Sequence, residues 1–357
     1  MTSAAGATAA GERRNVSDAA GVLALGACAV WSLITAGVHD GRPEGVLLAV
    51  LAMAAGYASG RILGAVAPVA APCAGALVGL GLALVARYTT PGPQITVPLG
   101  HTGAAAALLT LSTAAACCAA WAARRPGLRL ALRLLALGIT VAAAILGSAA
   151  GCALGTGVLL CSLAADRVRR RALGLGGFAL AAAAVTSTTW AVAENALPDG
   201  LTASLEGQLT EHRVLLWQDA LHLTGRNPVL GVGPGRYAEL SPTVAQTPLP
   251  DGRPHSAALQ QMAEQGVTGA LLLALLFCWV LYSLWRSPQS TPVVLTAGAG
   301  LTALAVIASV GNALSFTTVT AGAGLLAGLA TARPLADGCP ENVVKEDERP
   351  WAHRLEP

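Results

Sequence analysis

Hydrophobic stretches long enough to cross a membrane recur along most of this chain and are separated by short polar segments. A bilayer core of about 30 Å needs roughly 20 apolar residues in a helix. The pattern predicts ten spans, at about 19–38, 45–60, 63–86, 102–123, 132–148, 151–165, 172–193, 267–285, 293–312 and 314–332. Of the 357 residues, 54% are hydrophobic and only 11% are charged. This hydrophobic fraction is higher than that of a typical soluble domain. We therefore expect an all-α polytopic membrane protein.

The spans fall into two blocks. We expect an N-terminal segment over 1–18, seven helices over 19–193, a polar loop over 194–266, three helices over 267–332 and a disordered tail over 333–357. The first span follows Arg13 and Arg14, which also suits a signal peptide. We favour a retained helix, because the chain behind it is equally hydrophobic.

The distribution of basic residues predicts the orientation of the chain in a cell membrane. With a cytoplasmic N-terminus, sixteen of the 22 Lys and Arg residues fall on the cytoplasmic side and six on the outer side. Cytoplasmic loops carry the excess of basic residues in membrane proteins. We expect both termini to be cytoplasmic and the 194–266 loop to be extracytoplasmic.

The loop begins with a helical pattern over 211–224. Its apolar residues share one face, whereas Arg213 and Trp217 share another, since they are four residues apart. This pattern predicts an amphipathic helix that rests on the membrane surface, with Trp217 anchored among the headgroups. A sugar-stacking role for Trp217 is the alternative.

A glycine-rich turn and a histidine follow the helix. Gly231, Gly233 and Gly235 allow a tight turn and close approach of a ligand, and Arg236 comes directly after them. The proline-rich segment 242–254 is expected to be extended. His255 then precedes a helix that enters the next span, where the helix dipole favours a neutral imidazole that is able to act as a base.

Metal and cofactor motifs are missing from the sequence. None of the eight cysteines lies in the 194–266 loop, and neither CxxC nor His/Cys ligand spacing is present. We expect no metal, no cofactor and no disulfide. Basic residues beside a membrane favour an anionic ligand at the bilayer, and we expect no nucleic-acid partner.

The order of these elements resembles the O-antigen ligase and polymerase family of membrane glycosyltransferases. In that family an Arg-to-Trp helix precedes an Asn-Pro and glycine turn, and a His step leads into a helix with Leu-Gln and Glu-x-Gly. The matching residues here are Arg213, Trp217, Asn227, Pro228, Gly231, Gly233, Gly235, His255, Leu259, Gln260, Glu264, Gly266 and Gly269. The resemblance implies a GT-C-like helical membrane fold.

The resemblance also implies a reaction. A glycan on an undecaprenyl diphosphate carrier is transferred, without metal, to a hydroxyl of a glycan, lipid or wall-polymer acceptor at the outer membrane face. His255 would be the general base. Arg213 first and Arg236 second would bind the diphosphate, followed by Arg253 and Arg87; a headgroup contact is the alternative for each arginine. Structural or orienting roles are expected for Trp217, Gly233, Gly235 and Glu264.

Two positions depart from the family pattern. Ser256 follows His255 where Asn is usual, and Ala150 occupies the arginine position of a Ser-x-Arg-Gly element. These departures keep a non-catalytic membrane scaffold open as an alternative. A repeat-unit polymerase of the same family is a second alternative. A transporter or permease is a third, although its usual mid-span charges are almost missing from these spans.

Overall fold

The computed structural model describes residues 2–89, 102–168, 170–194, 196, 211–246, 252–333 and 335, with side chains from residue 17 to residue 85 in the first range. These residues form thirteen α-helices and two 3-10 turns, at Ala165–Arg167 and Ala313–Ser315. The helices are α1 (Thr2–His39), α2 (Glu44–Val66), α3 (Ala70–Thr89), α4 (Thr102–Ala122), α5 (Pro126–Ile145), α6 (Ala149–Ala164), α7 (Arg171–Ala193), α8 (Glu211–Arg226), α9 (Tyr237–Leu240), α10 (Pro242–Gln246), α11 (Ala257–Trp285), α12 (Thr291–Val310) and α13 (Thr317–Thr331).

The helices confirm the predicted fold class. Among the described residues, eight helices are long and apolar enough to cross a membrane, and Ala70–Val85 and Thr317–Thr331 are two shorter apolar helices. The described ranges contain no β-strand. The protein is therefore an all-α, multi-pass membrane protein, as the hydrophobic pattern predicts.

Helices α4 and α12 form the centre of the bundle. Small residues make up most of α4, and nearly all its side chains are buried. Close contact is tightest between α2 and α13: a Cβ added to Gly60 would lie 2.3 Å from the carbonyl oxygen of Leu325. Small residues allow the two backbones to approach closely. The resulting van der Waals contact stabilises the helix pair, because helices in lipid have no hydrophobic driving force for association.

Several span boundaries differ from the prediction, and at two of them the reason is that charged residues do not end the helix. Helix α2 continues past Arg61, whose guanidinium pairs with Asp18 of α1, and it ends at Val66, two residues before Pro68. Helix α5 begins at Pro126 rather than near 132, since proline suits the first turn of a helix.

Two expectations for the polar loop are also corrected. Residues 242–246 form helix α10, so the proline-rich segment is not extended there; its residues 247–251 lie outside the described part. Helix α8 does not rest on the surface. It packs against α7 and α11, and both of its predicted faces contribute buried side chains.

Candidate functional site

The loop has a hydrophobic core of its own. Leu216, Trp217, Ala220 and Leu223 of α8 are buried, together with residues of α7, α9 and α11. The hydroxyl of Tyr237 donates a 2.7 Å hydrogen bond to the carbonyl oxygen of Leu216, and burial raises the pKa of that hydroxyl. This core packs the loop helices against α7 and α11.

Trp217 belongs to this core, which makes the predicted headgroup anchor wrong. Its side chain is 1% exposed, and its indole Nε1 donates a 2.7 Å hydrogen bond to the carbonyl oxygen of Pro254. The next residue, His255, is buried and has a φ of 53°, in the left-handed region that most residues avoid. The Trp217 contact therefore fixes the backbone where the chain turns at His255.

The glycine turn docks into a break in helix α11. Gly266 has φ 70° and ψ −173°, which interrupts the helix. The amides of Val232 and Gly233 donate 2.9 Å bonds to the carbonyl oxygens of Ala263 and Glu264, and the amide of Val267 donates to Pro228 at 2.8 Å. These bonds tie the two motif segments, 228–235 and 263–267, into one structure.

The same turn also holds the connection between α1 and α2. The amide of Arg42 donates a 2.7 Å bond to the carbonyl oxygen of Pro234. Arg236 donates through Nη1 to the carbonyl oxygen of His39 at 2.6 Å, and its Nε lies 3.5 Å from a carboxylate oxygen of Glu239. Arg236 thus fastens the end of α1 to the turn.

A cavity of about 810 Å³ opens beside this junction and extends between the helices of the bundle. Its deeper wall is apolar and includes Val50, Met53, Leu272, Phe277 and Leu304. Its other end is polar. The shape and lining suit an amphiphile, with a hydrocarbon part among the helices and a polar part beside the loop.

The polar end carries charges of both signs. It is lined by Arg42, Glu44, Arg253, Ser256, Gln260 and Glu264. The Glu264 carboxylate is buried, accepts a 3.3 Å bond from Gln260 Nε2, and lies near the backbone N–H of Gly235 and the guanidinium of Arg253. Glu264 is therefore held in place by its neighbours, whereas the arginine side chains border the open volume.

Two cavity-lining side chains have buried polar atoms that lack a hydrogen-bond partner in the described structure. They are Ser256 Oγ and Gln265 Nε2. A buried polar atom without a partner costs about 1–3 kcal/mol. Their position at the cavity wall suits groups that complete their hydrogen bonds when a polar ligand is present.

Arg213 is the most deeply buried arginine of the loop. Its side chain is 3% exposed, its Nε has no hydrogen-bond acceptor among the described residues, and desolvation lowers its pKa. It lies one turn before Trp217 on α8. A buried guanidinium is costly unless an anion compensates it, so an anionic ligand is the expected partner.

The structure brings only some of the predicted site residues to the cavity. Arg253, Gly235 and Glu264 line it. The candidate residues His255, Arg213, Arg236, Trp217 and Gly233 do not. The side chain of Arg87, at the end of α3, lies outside the described residues. Sequence reasoning missed Arg42 as a site residue.

The described residues contain no group of three or more His, Cys, Asp or Glu side chains suited to a metal ion. The ionisable and polar groups that line or adjoin the cavity are guanidinium groups, the imidazole of His255, the carboxylates of Glu44 and Glu264, and hydroxyl and amide groups. Such groups bind phosphate, stabilise developing negative charge and move protons.

Comparison with known proteins gives one match. A family model described as "O-Antigen ligase" matches residues 94–274, which is half of the chain. That region begins before α4 and ends in α11, so it contains the glycine turn, Trp217, His255 and the helix break. No curated protein and no solved structure matches the chain.

Proposed function

The chain belongs to the O-antigen ligase family, and we propose that it transfers a glycan from a polyprenyl diphosphate carrier to an acceptor hydroxyl at the outer face of the cytoplasmic membrane. The observation that carries this proposal is the cavity, which is apolar at depth and has two arginines at its polar end. A polyprenyl diphosphate has the same division: a long hydrocarbon chain and a charged head.

The arginines would bind the diphosphate. Arg253 and Arg42 border the cavity, and planar guanidinium groups bind phosphate oxygens through paired hydrogen bonds. When the sugar–oxygen bond to the carrier breaks, negative charge develops on the leaving diphosphate, and fixed cations stabilise that charge. Arg213 would contribute on the loop side, where its burial without a carboxylate partner among the described residues favours an anion.

His255 would accept the proton of the acceptor hydroxyl. It precedes Ser256, which lines the cavity, and its backbone is fixed from one side by the Trp217–Pro254 bond. Removing the proton as the oxygen attacks the sugar carbon makes the oxygen a better nucleophile, and such a base typically contributes about 10²–10⁴-fold in rate. The proton then resides on the imidazole and the electron pair on the departing diphosphate.

Glu264, Gly233 and Gly235 would position these groups. Glu264 accepts from Gln260 and borders Arg253, so it would orient that guanidinium. Gly233 and Gly235 have φ values of 99° and 74°, and a Cβ on Gly233 would lie 2.9 Å from Cβ of His39. The turn therefore requires glycine to bring Pro234 and Arg42 together.

Orientation follows from charge. The excess of arginine at the connections opposite the loop favours a cytoplasmic location for those connections and for both termini. The loop and the polar end of the cavity would then face outward, where a carrier-linked glycan meets its acceptor.

A binding measurement tests the donor assignment. Purified full-length protein in nanodiscs should bind undecaprenyl diphosphate, and Arg253→Ala should weaken binding by at least about tenfold, as expected for loss of a charged hydrogen bond of 1.5–3 kcal/mol. Arg226→Ala, which changes an exposed arginine at the end of α8, is the matched control. Equal binding by both variants would contradict the assignment of the cavity as the donor-binding site.

A further inference from the structure

Two arginines contact one indole ring at the α4–α5 connection. The Cζ atoms of Arg129 and Arg133, four residues apart on α5, lie 5.9 and 5.3 Å from the ring centroid of Trp121. Trp121 itself is fixed, because its Nε1 donates a 3.0 Å bond to Ser162 Oγ. Thr296 of α12 donates to the same oxygen at 3.1 Å, which joins four helices at this point.

The charges of this pair are not balanced by the described protein. Neither guanidinium forms an ion pair with a described carboxylate, in contrast to Arg61, which pairs with Asp18. Arg129 donates through Nη2 to the carbonyl oxygen of Ala123 at 3.1 Å, but its Nε has no acceptor in the described structure. Like charges four residues apart on a helix repel each other. An anion bound between the two would relieve this repulsion.

The pair lies where lipid headgroups would be. It is at the α4–α5 connection, next to the exposed residues Arg124 and Arg125. Helices of a bundle alternate in direction, so this connection is at the end opposite the loop and the polar end of the cavity. Trp and Arg side chains concentrate at the membrane–water interface, where the phosphates of lipids lie.

We propose that Arg129 and Arg133, held over Trp121, bind the phosphate of an anionic phospholipid at the bundle end opposite the loop. The guanidinium groups supply the hydrogen-bond donors that a phosphate diester requires, and the acyl chains of the lipid lie along the exposed apolar side chains of α5, which include Leu130, Leu134 and Leu137. A zwitterionic lipid binds less tightly, because its positive headgroup is repelled by the same cluster. The site is independent of the transfer reaction.

Native mass spectrometry of the full-length protein in a mild detergent tests this site. Dioctanoyl phosphatidylglycerol should bind more tightly than dioctanoyl phosphatidylcholine. The double variant Arg129→Gln/Arg133→Gln should bind phosphatidylglycerol roughly 25-fold more weakly, at about fivefold for each arginine near an anionic headgroup. If that variant does not fold, Arg129→Lys/Arg133→Lys takes its place and should retain the preference for phosphatidylglycerol.

Arg286→Gln is the matched control. Arg286 also lies at this end, over the rings of Tyr282 and Trp285 at 6.0 and 5.7 Å, but it is a single exposed arginine. It should leave tight phosphatidylglycerol binding unchanged. An equal loss in Arg286→Gln, or no preference over phosphatidylcholine, would overturn the proposal. Competition by equimolar inorganic phosphate would overturn the lipid assignment in favour of a soluble phosphate.

Discussion

The indole of Trp217 donates a 2.7 Å hydrogen bond to the carbonyl oxygen of Pro254. This bond joins helix α8 to the residue that precedes His255, across 37 positions of the chain. The sequence pattern places Trp217 on a different face of α8 from the apolar residues. In the structure its side chain is part of the core. The bond holds the backbone one residue before His255, which itself has the uncommon φ of 53°.

Trp217→Phe should separate this bond from the packing. The phenyl ring fills most of the space but lacks the N–H, so unfolding should require about 1 kcal/mol less free energy, the usual net value of one hydrogen bond. Glycan transfer in cells should fall at least about tenfold if the imidazole moves, since a misplaced catalytic group costs rate steeply. Thermal stability of the purified protein and the amount of product in cells are the measurements.

Trp285→Phe is the control for that variant, because Trp285 is exposed at the other end of the bundle. It should change neither quantity. Unchanged transfer in Trp217→Phe would show that the bond does not position His255.

Gly266→Ala should destabilise the protein. Its φ of 70° is strained for alanine, and a Cβ would lie 2.2 Å from the carbonyl oxygen of Val229. The conformational strain alone is of order 1–3 kcal/mol, before the clash is counted. Melting in detergent, followed by size-exclusion chromatography, should show a lower melting temperature.

Gly176→Ala provides the comparison, since no atom lies within 4 Å of a Cβ at that helical position. Alanine has the higher helix propensity, so this variant should be as stable as the native protein or slightly more stable. Equal melting temperatures for the two variants would contradict the helix break as a requirement of the fold.

Arg213→Met should separate stability from function. Methionine has a similar length and no charge, so it removes the cost of a buried guanidinium whose pKa is lowered by desolvation. The melting temperature of the empty protein should stay the same or rise, while glycan transfer is lost. A lower melting temperature together with full transfer would mean that Arg213 only stabilises the loop.

Arg236 and Arg253 should behave differently when each is replaced by alanine. Arg236 contacts the carbonyl oxygen of His39 and does not line the cavity, whereas Arg253 does line it. Arg236→Ala should therefore lower transfer with little change in the Kd for undecaprenyl diphosphate, and Arg253→Ala should raise that Kd. Isothermal titration calorimetry on both variants distinguishes the two roles. A raised Kd in Arg236→Ala would instead indicate that Arg236 binds the diphosphate.

The fold class could be predicted because hydrophobic length alone specifies a membrane-spanning helix. The boundary error at the second span has a cause that is distant in the sequence. Arg61 looks like the end of a span in the sequence, but its partner Asp18 is 43 residues earlier and allows α2 to continue to Val66. No local pattern reveals such a pairing, since it depends on how α1 and α2 pack.

The site could be predicted only in part, and for a similar reason. The motif residues Trp217, Gly235 and Glu264 marked segments of the site in the sequence. Arg42 was not identified, because it is nearly two hundred residues away from Pro234 in the chain. The periodicity of the sequence predicted one apolar and one polar face for α8. It could not show that α7 and α11 pack against this helix and that side chains of both faces are buried. The buried position of Trp217 follows from that tertiary packing.

Analysis of glycans in cells tests the central claim most directly. A deletion strain would be complemented with the native protein, with His255→Ala, or with His222→Ala as a control on α8 outside the cavity lining. The account predicts loss of a surface glycan and accumulation of its lipid-linked precursor in the deletion and with His255→Ala, and normal glycan with His222→Ala. Normal glycan with His255→Ala, beside a defect in the deletion, would contradict the assignment of His255 as the base.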